Sequence, residues 1–169
     1  ARAEALRARA AIASVEAEQI LTERIATRLT DLDMLMRLEE LRLSTSESRI
    51  SWNAEERNQA YFAAFRKYGI DVESSTTEEI ASFCRGREIR LELAYAFDGW
   101  AWIKPDWSDS ESKDKEAWRD WRGHLLTIAQ AIDHDEIRNR LRDCYARGDI
   151  QDLQRSVASH ATQLSPASL

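Results

Sequence analysis

The chain has 169 residues, 43% of them hydrophobic and 32% charged, enough for one compact domain with an appended long helix. That balance excludes a wholly disordered or membrane-embedded chain, and no apolar run is long enough to span a bilayer. A formal charge of -6 argues against nucleic-acid binding as the main task, because holding a phosphate backbone needs a basic face.

Only five glycines and two prolines occur, which favours long helices over a turn-rich β fold. Residues 2 to 45 contain neither, and the first part is rich in Ala, Arg and Glu, all strong helix formers. One helix of that length would extend about 65 Å, more than a small domain can cover. Leu6, Ala13 and Ile20 belong to a weak heptad seam in residues 1–24, a candidate dimerisation surface. Whether that part pairs, projects or frays is left open by the pattern. Ile25, Leu29, Leu32 and Met36 follow four-three-four spacing on one stripe, and Leu35, Leu38, Leu41 and Leu43 widen the apolar surface. Residues 25–43 are expected to pack on the helices that follow, and residues 25–169 to form the helical domain.

A polar break at Ser44–Ser48 comes next. Asn53 then caps a predicted helix from Ala54 to about Tyr68, with Ala60, Tyr61, Ala64, Phe65 and Tyr68 inward and Gly69 as its stop. Ile70 and Val72 are expected to tuck the next turn onto the core. Thr76 and Glu79 form a capping box for a helix bearing Ile80, Phe83 and Cys84 that ends near Gly86. Arg87 to Ile103 reads as a central helix, apolar nearly all round its second half and halted by Pro105. Residues 104 to 113 form a polar loop. A helix from Asp114 to Ala131 follows, with Trp118, Trp121, Leu125, Ile128 and Ala129 inward.

Asp133 or Asp135 caps the next helix, whose stripe is Ile137, Leu141, Cys144 and Tyr145 and whose end is Gly148. Asp149 would cap a last helix carrying Ile150, Leu153, Val157 and Ala161. The expected fold class is all-α, a long leading helix followed by stacked antiparallel helical hairpins. It is tetratricopeptide-like but has no regular repeat.

Several segments look like a known architecture. Leu38-Glu39-Glu40-Leu41-Arg42-Leu43, the run from Tyr61 to Val72, Ala94-Tyr95-Ala96-Phe97-Asp98-Gly99-Trp100-Ala101, Ala129-Gln130-Ala131-Ile132-Asp133 and Arg138-Asn139-Arg140-Leu141-Arg142 carry the likeness. Together they resemble, over residues 25 to 169, the helical connector of large multidomain proteins of planctomycete bacteria. Those proteins carry a serine/threonine kinase-like or WD-repeat domain upstream and tetratricopeptide repeats downstream. Leu164-Ser165-Pro166-Ala167-Ser168-Leu169 looks like the start of the first such repeat, and the chain reads as a piece of a longer protein. The resemblance implies a connector in a signalling protein and supplies no catalytic residues. Relatives often have two acidic residues where this chain has Asp98-Gly99, a change expected to loosen that helix by about 1 kcal/mol.

Tyr95, Phe97, Trp100, Trp102, Trp107, Trp118 and Trp121 crowd into residues 95 to 121. Trp100, Trp118 and Trp121 are expected in the core. Trp102 points away from Trp100, and Trp107 lies in the polar loop, so these two are the candidate partner-binding anchors. His134 between Asp133 and Asp135 suggests a metal only weakly, because the aspartates serve better as caps. His124 and His160 stand apart. Arg138, Arg140, Arg142 and Arg147 are interleaved with acids and read as a solvated face. Cys84 and Cys144 read as buried free thiols.

No catalytic, cofactor-binding or metal-binding residues are assigned, since no phosphate loop, nucleophile elbow or paired metal motif occurs. The expected function is a non-catalytic protein-interaction or scaffolding module, in the cytoplasm. It would bind an unidentified protein partner, without nucleic acid or membrane insertion. A dimerising spacer that brings attached kinase-like domains together is the alternative. A small helical ligand-binding domain or enzyme, with perturbed carboxylates near Trp100 or Trp118, is a further one.

Overall fold

The computed structural model describes residues 2–43, 53–103, 112–149 and 151, with side chains described from residue 15 onward and, in the later segment, from 115. The described chain is all-helical, with six helices and no strand among the described residues. They are α1 (Arg2–Leu43), α2 (Ala54–Tyr68), α3 (Thr77–Arg85), α4 (Arg90–Ala101), α5 (Ser112–Ile132) and α6 (Glu136–Arg147). The Ser44–Ser48 break, Pro105, Trp107, most of the 104–113 loop, His160 and the expected last helix with Leu153, Val157 and Ala161 lie outside the described residues.

Local chemistry accounts for the helix ends. Asn53 and Glu56 form a full capping box at the start of α2, and Thr76 and Glu79 form another at α3. Gly69 takes φ 100° and its N–H donates to the carbonyls of Arg66 and Phe65, a left-handed stop that a side chain would strain. Gly148 ends α6 in the same way at φ 70°. Asp135 accepts from the Arg138 N–H and caps α6, so it, and not Asp133, is the cap. Residues 86–89 turn between α3 and α4, so α4 starts three residues later than the sequence suggests.

The core is aromatic at its centre. Phe65 of α2 stacks on Phe97 and Trp100 of α4, at centroid distances of 4.3 and 5.6 Å. Tyr61 and Phe62 also meet Trp100, and Trp121 of α5 closes the cluster at 5.5 Å from Trp100. Large rings, rather than closely approaching backbones, therefore join α2 to α4. α5 lies against both α3 and α4, α6 packs on α5, and α1 rests on α2 and α4. Two arginines tie helices by their ends. Arg85 of α3 donates to the Ala131 carbonyl at the end of α5, and Arg122 of α5 to the Ala146 carbonyl at the end of α6. Ile70 and Val72 are buried as expected, and so are Cys84 and Cys144. Burial pushes the Cys84 thiol up to about 12.

Three expectations are corrected. Ile25, Leu29, Leu32 and Met36 do not face the domain; they are 51, 59, 52 and 59% exposed. The face of α1 that does is built from Asp31, Met34 and Leu41, with Leu35 and Leu38 packed beside them. Trp118 is only half-buried and lies outside the core cluster; its indole N–H donates to the Ile103 carbonyl. Arg142 is not on a solvated face: it is 5% exposed. Gly99 does not interrupt α4, and a β-carbon there would stand 3.3 Å from the Tyr61 hydroxyl oxygen. The missing side chain makes room for Tyr61.

Candidate interaction surfaces

α1 has two apolar faces. The covered one is anchored by Asp31, which is 4% exposed and accepts a 2.5 Å hydrogen bond from the Tyr68 hydroxyl. The Arg87 Nε lies 3.5 Å from the same carboxylate, and the guanidinium spans the rings of Tyr68 and Phe83. Burial, then the bond to Asp31, pushes the Tyr68 hydroxyl well above its usual value. A buried carboxylate is thus compensated from α2 and from the α3–α4 turn, and it fixes where α1 meets them.

The open face carries Leu21, Ile25, Leu29, Leu32, Met36 and Leu43, each about half exposed. Before Asp31, residues 15–30 are exposed all round. Of the candidate dimerisation residues, Ile20 is 57% exposed on α1. Leu6 and Ala13 are on the same helix, but their side chains lie outside the described residues.

Trp102 is 59% exposed, as expected of an anchor, yet its ring is not bare. One side stacks on Tyr145 at 3.8 Å, and Arg122 sits between the rings of Tyr145 and Trp118 at 4.8 and 4.7 Å. Trp102 is the outer member of a surface ladder that clasps α4, α5 and α6 together. Trp107, the other candidate anchor, lies outside the described residues.

No family model, curated protein or solved structure matches this chain.

The densest polar chemistry lies inside. Asp133, 2% exposed, accepts from Arg138 through both its Nε and its Nη2, at 2.6 and 2.7 Å, and from Arg142 at 3.0 Å. Arg142 also holds Asp98 of α4 through paired bonds of 2.8 and 2.7 Å. Burial pushes the Asp133 carboxyl up, but bonds from Arg138, the Asp135 N–H and Arg142 outweigh it and bring it down to about 2. Burial wins at Asp98, whose carboxyl is raised in spite of Arg142.

Sequence reasoning missed this network. The available signal was the spacing of Arg138, Arg142 and Tyr145, which share one helical face by four and three residues. A second hint was the acidic pair Asp133 and Asp135 in the preceding turn. His134 is exposed, and no group of metal-ligating side chains occurs among the described residues.

Among the described residues, clefts border α1 on several sides. One of about 550 Å³ lies between α1 and α2, lined by Asp33, Met34, Arg37, Lys67 and Tyr68 among others. A second, of about 370 Å³, is lined by Leu35, Leu38, Tyr61, Tyr95 and Gly99. A third, by the α3–α4 turn, is lined by Arg28, Asp31 and Arg87. Neither Asp98 nor Asp133 lines any of these, so the perturbed carboxylates serve the join between α4, α5 and α6. No helix among the described residues is long and apolar enough to cross a membrane.

Proposed function

We propose that this chain is a non-catalytic interaction and spacing module that acts through α1. The observation that carries this reading is the open apolar face from Leu21 to Leu43, on a helix whose other face holds the domain. Contiguous exposed apolar surface of this kind marks a binding surface. The domain then serves as a rigid base. Its core, its buried ion network and its end-to-end arginines all hold helices in place. In the context that the resemblance of residues 25 to 169 implies, the module would connect a kinase-like or WD-repeat domain to a repeat array. α1 would set the distance between them.

The chain's two methionines provide the test. Met34 is 3% exposed and Met36 59%, two residues apart on one helix. Hydrogen peroxide oxidises accessible thioethers, so Met36 reacts much faster than Met34 in the dilute chain. In protein isolated from its own cells with its partners bound, Met36 oxidation slows towards that of Met34. Equal Met36 rates in the dilute and the assembled protein would refute the proposal.

A further inference from the structure

We infer that the open face of α1 is the seam of a parallel, in-register homodimer. This deepens the reading above, on which it rests, by naming a second copy of this chain as the occupant. With Leu29 at heptad position a, the a positions are Val15, Thr22, Leu29, Met36 and Leu43, and the d positions Glu18, Ile25, Leu32 and Glu39. Apolar side chains fill six of these nine places, and all six are exposed, by 47 to 64%. The span from Val15 to Leu43 covers four heptads and about 42 Å, and its unbroken apolar part runs from Ile25 through Leu29 and Leu32 to Met36.

The domain is attached in a way that leaves this seam free. Asp31 and Leu38 fall at position c, Met34 and Leu41 at f, and Leu35 at g. Positions c and f lie on the outside of a two-stranded coil. The contacts at c and f therefore point away from the seam, and among the contacts that bind α1 to its own domain Leu35, at g, borders it.

Charge selects a second copy. Arg28 sits at g on one flank of the seam and Asp33 at e on the other. In a parallel pair, g of each helix faces e of its partner, so the surface complements itself twice under one two-fold axis. Arg28 already touches Glu88 of its own chain at 2.9 Å, but those side chains are 62 and 69% exposed, so this weak pair leaves the guanidinium able to share. Glu39, at d, pairs with Arg42 through bonds of 2.9 and 2.7 Å, but both side chains are more than half exposed, so this place stays polar and weakens the C-terminal end of the seam. Glu18 and Thr22 interrupt the apolar run on its N-terminal side, so the seam is strongest from Ile25 to Met36. A second copy also supplies the packing that residues 15–30 lack, and a helix segment without packing is marginal in water.

Sedimentation equilibrium over a wide concentration range tests the inference, on the native chain and on L29E/L32E. Both substitutions fall on the open face, and circular dichroism checks that the variant stays folded. The native chain is expected to dimerise, and the variant to lose at least about 30-fold in association. Orientation is read from single-cysteine variants Ile25→Cys and Met36→Cys, since both native cysteines are buried. Each is expected to form a disulfide-linked dimer on mild oxidation. A monomer at every concentration, a dimer that L29E/L32E leaves intact, or cross-linking only when the two variants are mixed overturns it. A monomer whose Met36 is still protected in the assembled protein sinks the homodimer alone; unprotected Met36 sinks the interaction reading as well.

Discussion

Arg142 reaches Asp133 at 3.0 Å while both side chains are almost fully withdrawn from solvent, and the same guanidinium grips Asp98 forty-four positions earlier in the chain. One residue of α6 thereby fixes the turn after α5 and the C-terminal part of α4. Replacing Arg142 by Met leaves two buried carboxylates without their shared cation. The expected loss is about 3–5 kcal/mol, read by urea denaturation. The double variant D98N/R142M is expected to be less destabilised than R142M alone, because it removes the charge left without a bonded cation, whereas Asp133 keeps Arg138.

Asp133 makes part of the stability depend on acid. Its folded carboxyl stands at about 2, below the ordinary aspartate value, so its contribution is complete above the unfolded value and is lost as pH falls through the folded one. The size is about 2 kcal/mol, lost between about pH 4 and pH 2. Asp98, raised by burial, acts in the opposite sense: its effect is present at low pH and disappears as pH rises through its folded value. Asp133→Asn is expected to flatten the acid limb of a stability-against-pH curve measured by denaturant titration. An unchanged acid limb would show that other carboxylates carry it.

Gly99 and Tyr61 form a matched pair. A β-carbon at position 99 meets only the Tyr61 hydroxyl oxygen, at 3.3 Å. In a Tyr61→Phe background that oxygen is gone, and Gly99→Ala is expected to stabilise by about 1 kcal/mol through helix propensity. In the native background the gain is expected to be smaller, because the tyrosine must shift. Thermal denaturation of the four chains checks this.

The legible part of the fold is the part decided locally. Asn53 with Glu56, Thr76 with Glu79, Gly69 and Gly148 announce helix ends because each acts within four residues. The α2 stripe is also legible, since Ala60, Tyr61, Ala64, Phe65 and Tyr68 are all buried on the helix's single apolar face. α1 misleads for the opposite reason. It has two apolar faces, and periodicity alone marks both without saying which one the domain covers. The buried face is decided by Asp31, whose partners Tyr68 and Arg87 lie far along the chain. Arg142 was hidden in the same way: among the alternating charges of α6 it looks like its solvated neighbour Arg140, until Asp98 and Asp133 converge on it.

The two-faced character of α1 is the claim on which the rest depends, and a paired urea denaturation tests it most directly. Leu41 is 2% exposed and Leu32 52%, on one helix and nine residues apart. At a dilution where association is negligible, Leu41→Ala is expected to lose about 2–5 kcal/mol, while Leu32→Ala stays within about 0.5 kcal/mol of the native chain. Equal losses at the two positions would mean that the domain covers both faces, and would contradict the account.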